Sequence, residues 1–144
     1  MKRRDFLAAG LGSVGGLQAL AMAADTDAPG QRQYLELRLY STHVGSKSGL
    51  VGDYYRNAGI AAMNRLGIGT VGVFNVVYGP NSPSLWVLLV HPSLESVATL
   101  SSRLLADKEH AEKAAPYINA GLSDPAYVRF DSSLMAAFMG MPKL

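Results

Sequence analysis

The sequence predicts one α+β domain in the order β, α, β, β, α, α, β, preceded by a short export segment. Three patterns support this: an apolar/polar alternation over residues 34–40, two Val-, Leu- and aromatic-rich runs flanking a Gly-Pro-rich turn at 79–83, and helix-spaced apolar residues on either side of that hairpin. A chain of 144 residues, 49% apolar and 17% charged, has the length and composition of a globular domain with a sizeable core.

The first 23 residues read as a signal rather than as fold. Lys2, Arg3 and Arg4 form a positive start, a mostly apolar stretch runs from 6 to 22, and Ala21, Met22 and Ala23 fit an AxA cleavage site. Arg3, Arg4, Asp5, Phe6 and Leu7 match the RRxFL pattern of twin-arginine export. Gly10, Gly12, Gly15 and Gly16 keep the stretch too weakly hydrophobic for a stable membrane span. The expected location is therefore periplasmic or otherwise exported. Gly10, Gly12 and Gly15 also spell GxGxxG, but no strand precedes them and no βαβ unit follows, so this is a chance match. Removing the signal leaves ten basic and ten acidic residues, so the formal charge of +2 disappears and no electrostatic footprint for nucleic acid remains. Zero cysteines exclude disulfides, thiolate chemistry and Cys-based metal sites.

Residues 24–33, with Pro29 and Gly30, read as a linker, and the domain proper as 34–144. The first strand puts Leu35, Leu37 and Leu39 on one face and Tyr34, Glu36, Arg38 and Tyr40 on the other. An amphipathic helix over 48–66 follows, with Leu50, Tyr54, Ala58, Ala62 and Leu66 in its stripe, Gly52 and Gly59 weakening it and Gly67 ending it. Residues 69–78 and 85–90 form a hairpin whose second strand is apolar on both faces. Ser93 caps a second helix with Glu95 in its first turn and Val97, Leu100 and Leu104 in its stripe. Asp107 starts a further helical stretch to Ala120, which Pro116 kinks or splits, and residues 127–138 form the last strand. This order is that of a ferredoxin-like βαββαβ unit with an extra helical segment, in which the helices cover one face of a four-stranded sheet. With the leucines of the first strand assigned to the helices, the face bearing Tyr34, Glu36, Arg38 and Tyr40 needs another cover. A second copy of the sheet supplies it and encloses a semi-polar space, which predicts a homodimer.

Several motifs resemble the NIPSNAP family. Glu36, Leu37, Arg38 and Tyr40 are similar to its ELRxY opening strand; Gly72, Phe74, Gly79 and Pro80 to its GxF strand ending in GP; Leu85 and Trp86 to the strand after it; and Asp131, Ser132, Ser133 and Leu134 to its final strand. Leu35 stands where many relatives have an aromatic residue, and Leu39 where Thr is common. The resemblance implies pairing as a dimeric α/β barrel and supplies no agreed catalytic set.

The ligand-binding candidates are Tyr34, Glu36, Arg38, Tyr40 and Trp86. Glu36 and Arg38, two apart on one strand face, can reach a shared cavity or form a structural ion pair. His91, at a strand end before Pro92, is the one candidate general base, though such a histidine more often bonds nearby backbone. His43 in a loop and His110 between Glu109 and Glu112 read as solvated surface. No HExxH and no GxSxG is present, so neither a metal site, nor a serine nucleophile, nor any cofactor is expected; haem would be analogy with other dimeric barrels alone. Met135, Met139 and Met141 read as core or dimer contact. The favoured function is an exported homodimer binding a small molecule. The alternatives are a purely structural or protein-interaction dimer, and a cofactor-free oxygenase or isomerase.

Overall fold

A computed structural model describes residues 32–45 and 49–144. The export signal, its GxGxxG and most of the expected linker lie outside the described residues. Gln33, expected in the linker, already belongs to the fold: its amide donates to the Pro142 carbonyl and its carbonyl accepts from the Ala137 amide, both at 2.9 Å.

Strand β1 (Tyr34–Ser41) leads to a helix, α1, over residues 50–65, and then to β2 (Val71–Asn75) and β3 (Ser84–His91). Helices α2 (Leu94–Ala106), α3 (Lys108–Lys113) and α4 (Ala115–Ile118) follow, and β4 (Arg129–Ala136) closes the chain. The sheet is antiparallel in the order β2-β3-β1-β4, which is the ferredoxin-like topology with an added helical segment. The helix ends follow from local chemistry. Ser93 accepts from the Ser96 amide and Asp107 from the His110 amide, while Gly67 leaves α1 at φ +90, a conformation cheap only without a Cβ. Pro116 sits in the first turn of α4, so it splits the helical stretch rather than kinking it.

One expectation is inverted. The helices cover the β1 face that carries Glu36, Arg38 and Tyr40, and Leu35, Leu37 and Leu39 occupy the other. Tyr40 is 3% exposed and shares the core with Leu85, Val87 and Leu89 of β3 and with Val51, Ala62, Leu100 and Leu104 of the helices. In the register, Glu36 lies opposite Leu89, Arg38 opposite Val87 and Tyr40 opposite Leu85, so all project on the helical side. The leucines instead share a face with Trp86 and Leu88 of β3 and Phe74 of β2. Apolar side chains are usually covered within the protomer, which is why alternation alone points the leucines toward the helices. Here the inner layer is filled by tyrosines and a paired arginine, whose polar atoms find partners there.

Helix α1 makes this possible. It is α-helical over Leu50–Tyr54, π-helical over Tyr55–Gly59 and α-helical again over Ile60–Arg65. The π turn absorbs one extra residue, so positions four apart, Val51, Tyr55, Gly59 and Met63, stay buried along one line. Consecutive Tyr54 and Tyr55 are both buried, at 9% and 1% exposure. Gly59 is a close-approach position: a Cβ there would lie 3.1 Å from the Tyr54 ring and 3.2 Å from the Tyr55 ring. Neither ring is free to retreat, since Tyr54 stacks on Tyr117 at 4.3 Å and Tyr55 is enclosed.

Replacement of Gly59 by Ala therefore tests the packing. Overpacking of about 1–3 kcal/mol against a helix-propensity gain of about 1 kcal/mol predicts a net loss of up to about 2 kcal/mol in urea unfolding. A stabilised variant would show that the two rings yield.

Candidate functional site

The polar centre of the helix-covered face begins at Glu36. Arg38 Nε donates to its Oε1 at 2.7 Å and Nη2 to its Oε2 at 2.9 Å, a two-point pairing that adjacent positions on one strand face allow. Ser132, opposite Arg38 on β4, donates to Oε1 at 2.8 Å. His91 Nε2 donates to Oε2 at 3.3 Å, and its Nδ1 lies 3.1 Å from the Ser96 hydroxyl. Burial opposes the Glu36 charge, but the bonds from His91, Arg38 and Ser132 outweigh it and hold the carboxyl down to about 2. Burial likewise opposes the Arg38 charge, and Glu36 reverses that, so the guanidinium is held firmly protonated.

Beside the pair lies a cluster of phenols. Tyr40 and Tyr55 share a hydrogen bond of 2.9 Å, and Tyr40 packs edge-on to Tyr127 and tilted against Phe130. The Tyr54 hydroxyl is 3.1 Å from His110 Nε2, and His110 Nδ1 is 2.9 Å from the Leu104 carbonyl. A carbonyl only accepts, so Nδ1 carries the proton of the neutral ring, Nε2 accepts, and Tyr54 donates. Burial raises the Tyr54 phenol to about 12, helped by Tyr40 and opposed by Arg38; burial also pushes Tyr55 and Tyr117 up.

Arg38, Tyr40, Tyr54, His110 and Tyr117 border an open cavity of about 250 Å³ between β1 and the helices. Arg38 and Tyr40 form its floor, and Tyr54, Leu104, His110 and Tyr117 its walls. Its chemistry is a fixed guanidinium, phenol oxygens, one imidazole and apolar sides.

Of the expected ligand-binding residues, Arg38 and Tyr40 thus meet at one cavity, while Glu36 stands behind Arg38 and orients it. Tyr34 lies on the same face at the far end of β1, opposite His91, and does not line the cavity. Trp86 is on the opposite face of the sheet, opposite Leu39. This semi-polar pocket thus lies within the protomer, on the helix-covered face of the sheet. His91 is fully buried with both ring nitrogens engaged and does not reach the cavity; it braces Glu36 against α2. His43 is exposed, as expected. His110 is not surface: it is 4% exposed and faces the cavity. The signal for it was available, since His110, Ala114 and Tyr117 fall at i, i+4 and i+7 on one helical face despite the flanking glutamates. Met135, Met139 and Met141 are 41%, 56% and 58% exposed, so none is core in the protomer. Among the described residues no group of His, Asp and Glu is placed to hold a metal ion, and no helix is long and apolar enough to cross a membrane.

The NIPSNAP family profile matches residues 35–124. No curated protein matches the chain. Among solved structures, an uncharacterised NIPSNAP-like domain protein from Burkholderia xenovorans shares 23% identity and superposes with a TM-score of 0.59, covering 79% of this chain and 92% of that one. A NIPSNAP family protein from Agrobacterium tumefaciens gives 19% identity and 0.58, covering 76% and 97%. A variant of SnoaB, a cofactor-independent oxygenase from Streptomyces nogalater, shares the fold at 14% identity and 0.50, covering 78% and 99%.

The depressed Glu36 carboxyl sets a pH dependence. A group lowered on folding stabilises fully above its unfolded value, so this contribution is complete above about 4.5 and is lost as pH falls toward about 2. The amount is about 3 kcal/mol, from about 1.4 kcal/mol per unit. Urea unfolding at pH 7, 4 and 2.5 should show a loss that Glu36→Gln largely abolishes. Ion-paired Asp107 and Asp131 shift the same way in both proteins, so the difference between them isolates Glu36. Parallel pH profiles would contradict the assignment. The matches to the family profile and to the solved structures agree with the topology and the opening-strand motif described above, and the chain belongs to the NIPSNAP family.

Proposed function

We propose that this chain acts as an exported NIPSNAP domain that binds a small molecule within each protomer of a homodimer. The observation that carries binding is the cavity itself: a buried, pre-oriented Arg38 guanidinium beside the Tyr40, Tyr54 and Tyr117 phenols and the apolar side of Leu104. At about 30 Å³ per water, its 250 Å³ holds about eight waters, and a somewhat larger molecule can extend through its open side. Arg38 and the phenols favour a carboxylate, enolate or carbonyl oxygen, and the walls favour an aromatic or aliphatic body.

The homodimer reading is supported by the other sheet face. Leu35, Leu37, Leu39, Phe74, Trp86 and Leu88 share one sheet face, and among the described residues no helix lies over it. A second copy of the same surface is the self-complementary cover, through the leucines rather than through Glu36 and Arg38. Twin-arginine export is supported by Arg3, Arg4, Phe6 and Leu7. In the purely structural dimer, the alternative reading, the Glu36–Arg38 pair serves only to hold the strands in register and the pocket beside it stays empty. Cofactor-free oxygenase or isomerase chemistry is compatible with the same cavity.

Native mass spectrometry of protein recovered from the periplasmic fraction tests these together. The expected species is two chains lacking the first 23 or so residues, each with a bound small molecule. Leu37→Asp should weaken pairing by on the order of a hundredfold, since the interface then buries unpaired carboxylates, and should leave the ligand in place because the cavity is on the other face. A wild-type monomer counts against the dimer, recovery only in the cytoplasm counts against export, and an empty cavity across growth conditions counts against binding.

A further inference from the structure

Tyr54 and His110 form a hydrogen-bonded pair whose direction is fixed from outside the cavity. The Leu104 carbonyl, 2.9 Å from His110 Nδ1, takes the only proton of the neutral ring, so Nε2 must accept and the Tyr54 hydroxyl must donate to it at 3.1 Å. The Tyr54 oxygen therefore offers the cavity lone pairs, not a proton. Across the same cavity stand Arg38, fixed by Glu36, and Tyr40, both suited to meet a negative oxygen.

We propose that Tyr54 and His110 are a proton relay that deprotonates an enolisable carbonyl compound held against Arg38. This rests on the small-molecule reading above and names its reaction class. The proton on the carbon beside the carbonyl passes to Tyr54 Oη as the Tyr54 proton passes to His110 Nε2. The C–H electron pair becomes the enolate π bond, the negative charge moves to the carbonyl oxygen facing Arg38, and His110 becomes an imidazolium that keeps its Nδ1 proton on Leu104. Return of a proton to the same or a neighbouring carbon completes exchange or isomerisation, with no oxidant and no cofactor required. Because burial raises the Tyr54 phenol to about 12, a free phenolate is costly, and a concerted transfer through His110 avoids forming one.

The surroundings suit this role. Tyr54 is clamped by the stacked Tyr117 ring at 4.3 Å, so its oxygen is held in one place, and His110 is anchored through the Asp107 cap of α3. The two residues come from α1 and α3, which the Arg65–Asp107 ion pair of 2.7 Å ties together outside the cavity. His91, the histidine first favoured from the sequence, has no comparable access.

Phenylpyruvate is a suitable probe, with an exchangeable C–H beside its carbonyl, a carboxylate for Arg38 and a ring for the apolar wall. Proton NMR in deuterated buffer reads binding, as line broadening, and exchange, as loss of the benzylic signal, in the same sample. The wild type is expected to bind the probe and to accelerate exchange by about a hundredfold or more over buffer, within the usual range for positioned acid–base groups. His110→Gln keeps an acceptor for the Tyr54 hydroxyl but takes up no proton, so it should bind within about threefold of wild type and lose at least about tenfold in exchange. Tyr54→Phe should do the same, and His110→Gln decides alone if the phenylalanine variant does not fold. Binding by the wild type without exchange, or undiminished exchange in His110→Gln, overturns the relay and leaves the binding site standing. Failure of the wild type to bind the probe overturns the relay for this class, while a different small molecule retained in native mass spectra would still uphold the site.

Discussion

A guanidinium buried beneath a layer of helices needs an anion at contact distance, and in this chain the anion comes from the same strand two residues earlier. Glu36 and Arg38 meet at 2.7 and 2.9 Å because alternate strand residues share a face, and the other two of the four hydrogen bonds to Glu36 come from separate strands. Ser132 ties it to β4 and His91 to β3, with Ser96 joining α2 behind His91. The pair is thus the point at which both central strands, one edge strand and a helix agree on register. Breaking one partner would leave a largely buried charge with little water to solvate it.

The rest of the inner layer adapts to that polar centre. A leucine-filled layer would leave the outer edge of Arg38 facing hydrocarbon, whereas phenols present oxygen at their tips and apolar ring elsewhere. Tyr40, Tyr54, Tyr55 and Tyr117 serve this purpose, and the π turn of α1 brings Tyr54 and Tyr55 to the same side. The leucines displaced from the helical side then create the second constraint, an apolar outer face on a four-stranded sheet. A polar pocket on the helical side and an apolar face behind the sheet are two consequences of one choice about which way β1 faces.

That choice was the part of the fold the sequence did not reveal. Alternation over residues 34–40 identifies a strand with two unlike faces but not their orientation, and the usual assumption that leucines meet helices gives the wrong answer here. Features set by short-range chemistry were legible: the Ser93 and Asp107 caps, the Gly67 stop, an interruption at Pro116, the hairpin and the strand order implied by the βαββαβ succession. Arg38 and Tyr40 were found because they lie on the motif-bearing strand. Tyr54 was read only as part of an apolar stripe, Tyr55 was obscured by the π turn, and His110 by its exposed glutamate neighbours. Trp86, a ligand candidate from a family-like strand motif, lies on the opposite face by its register.

The central claim is that Glu36 and Arg38 act as one unit on which the helix-covered layer depends, and a double-mutant cycle tests it most directly. Thermal and urea unfolding of Glu36→Gln, Arg38→Met and the double variant would be measured at pH 7. Each single change should cost on the order of 3–5 kcal/mol, because each strands a buried charge, and the double variant should recover most of that loss. Losses that simply add, with no recovery in the double variant, would contradict the account and show that each residue is held by other partners independently.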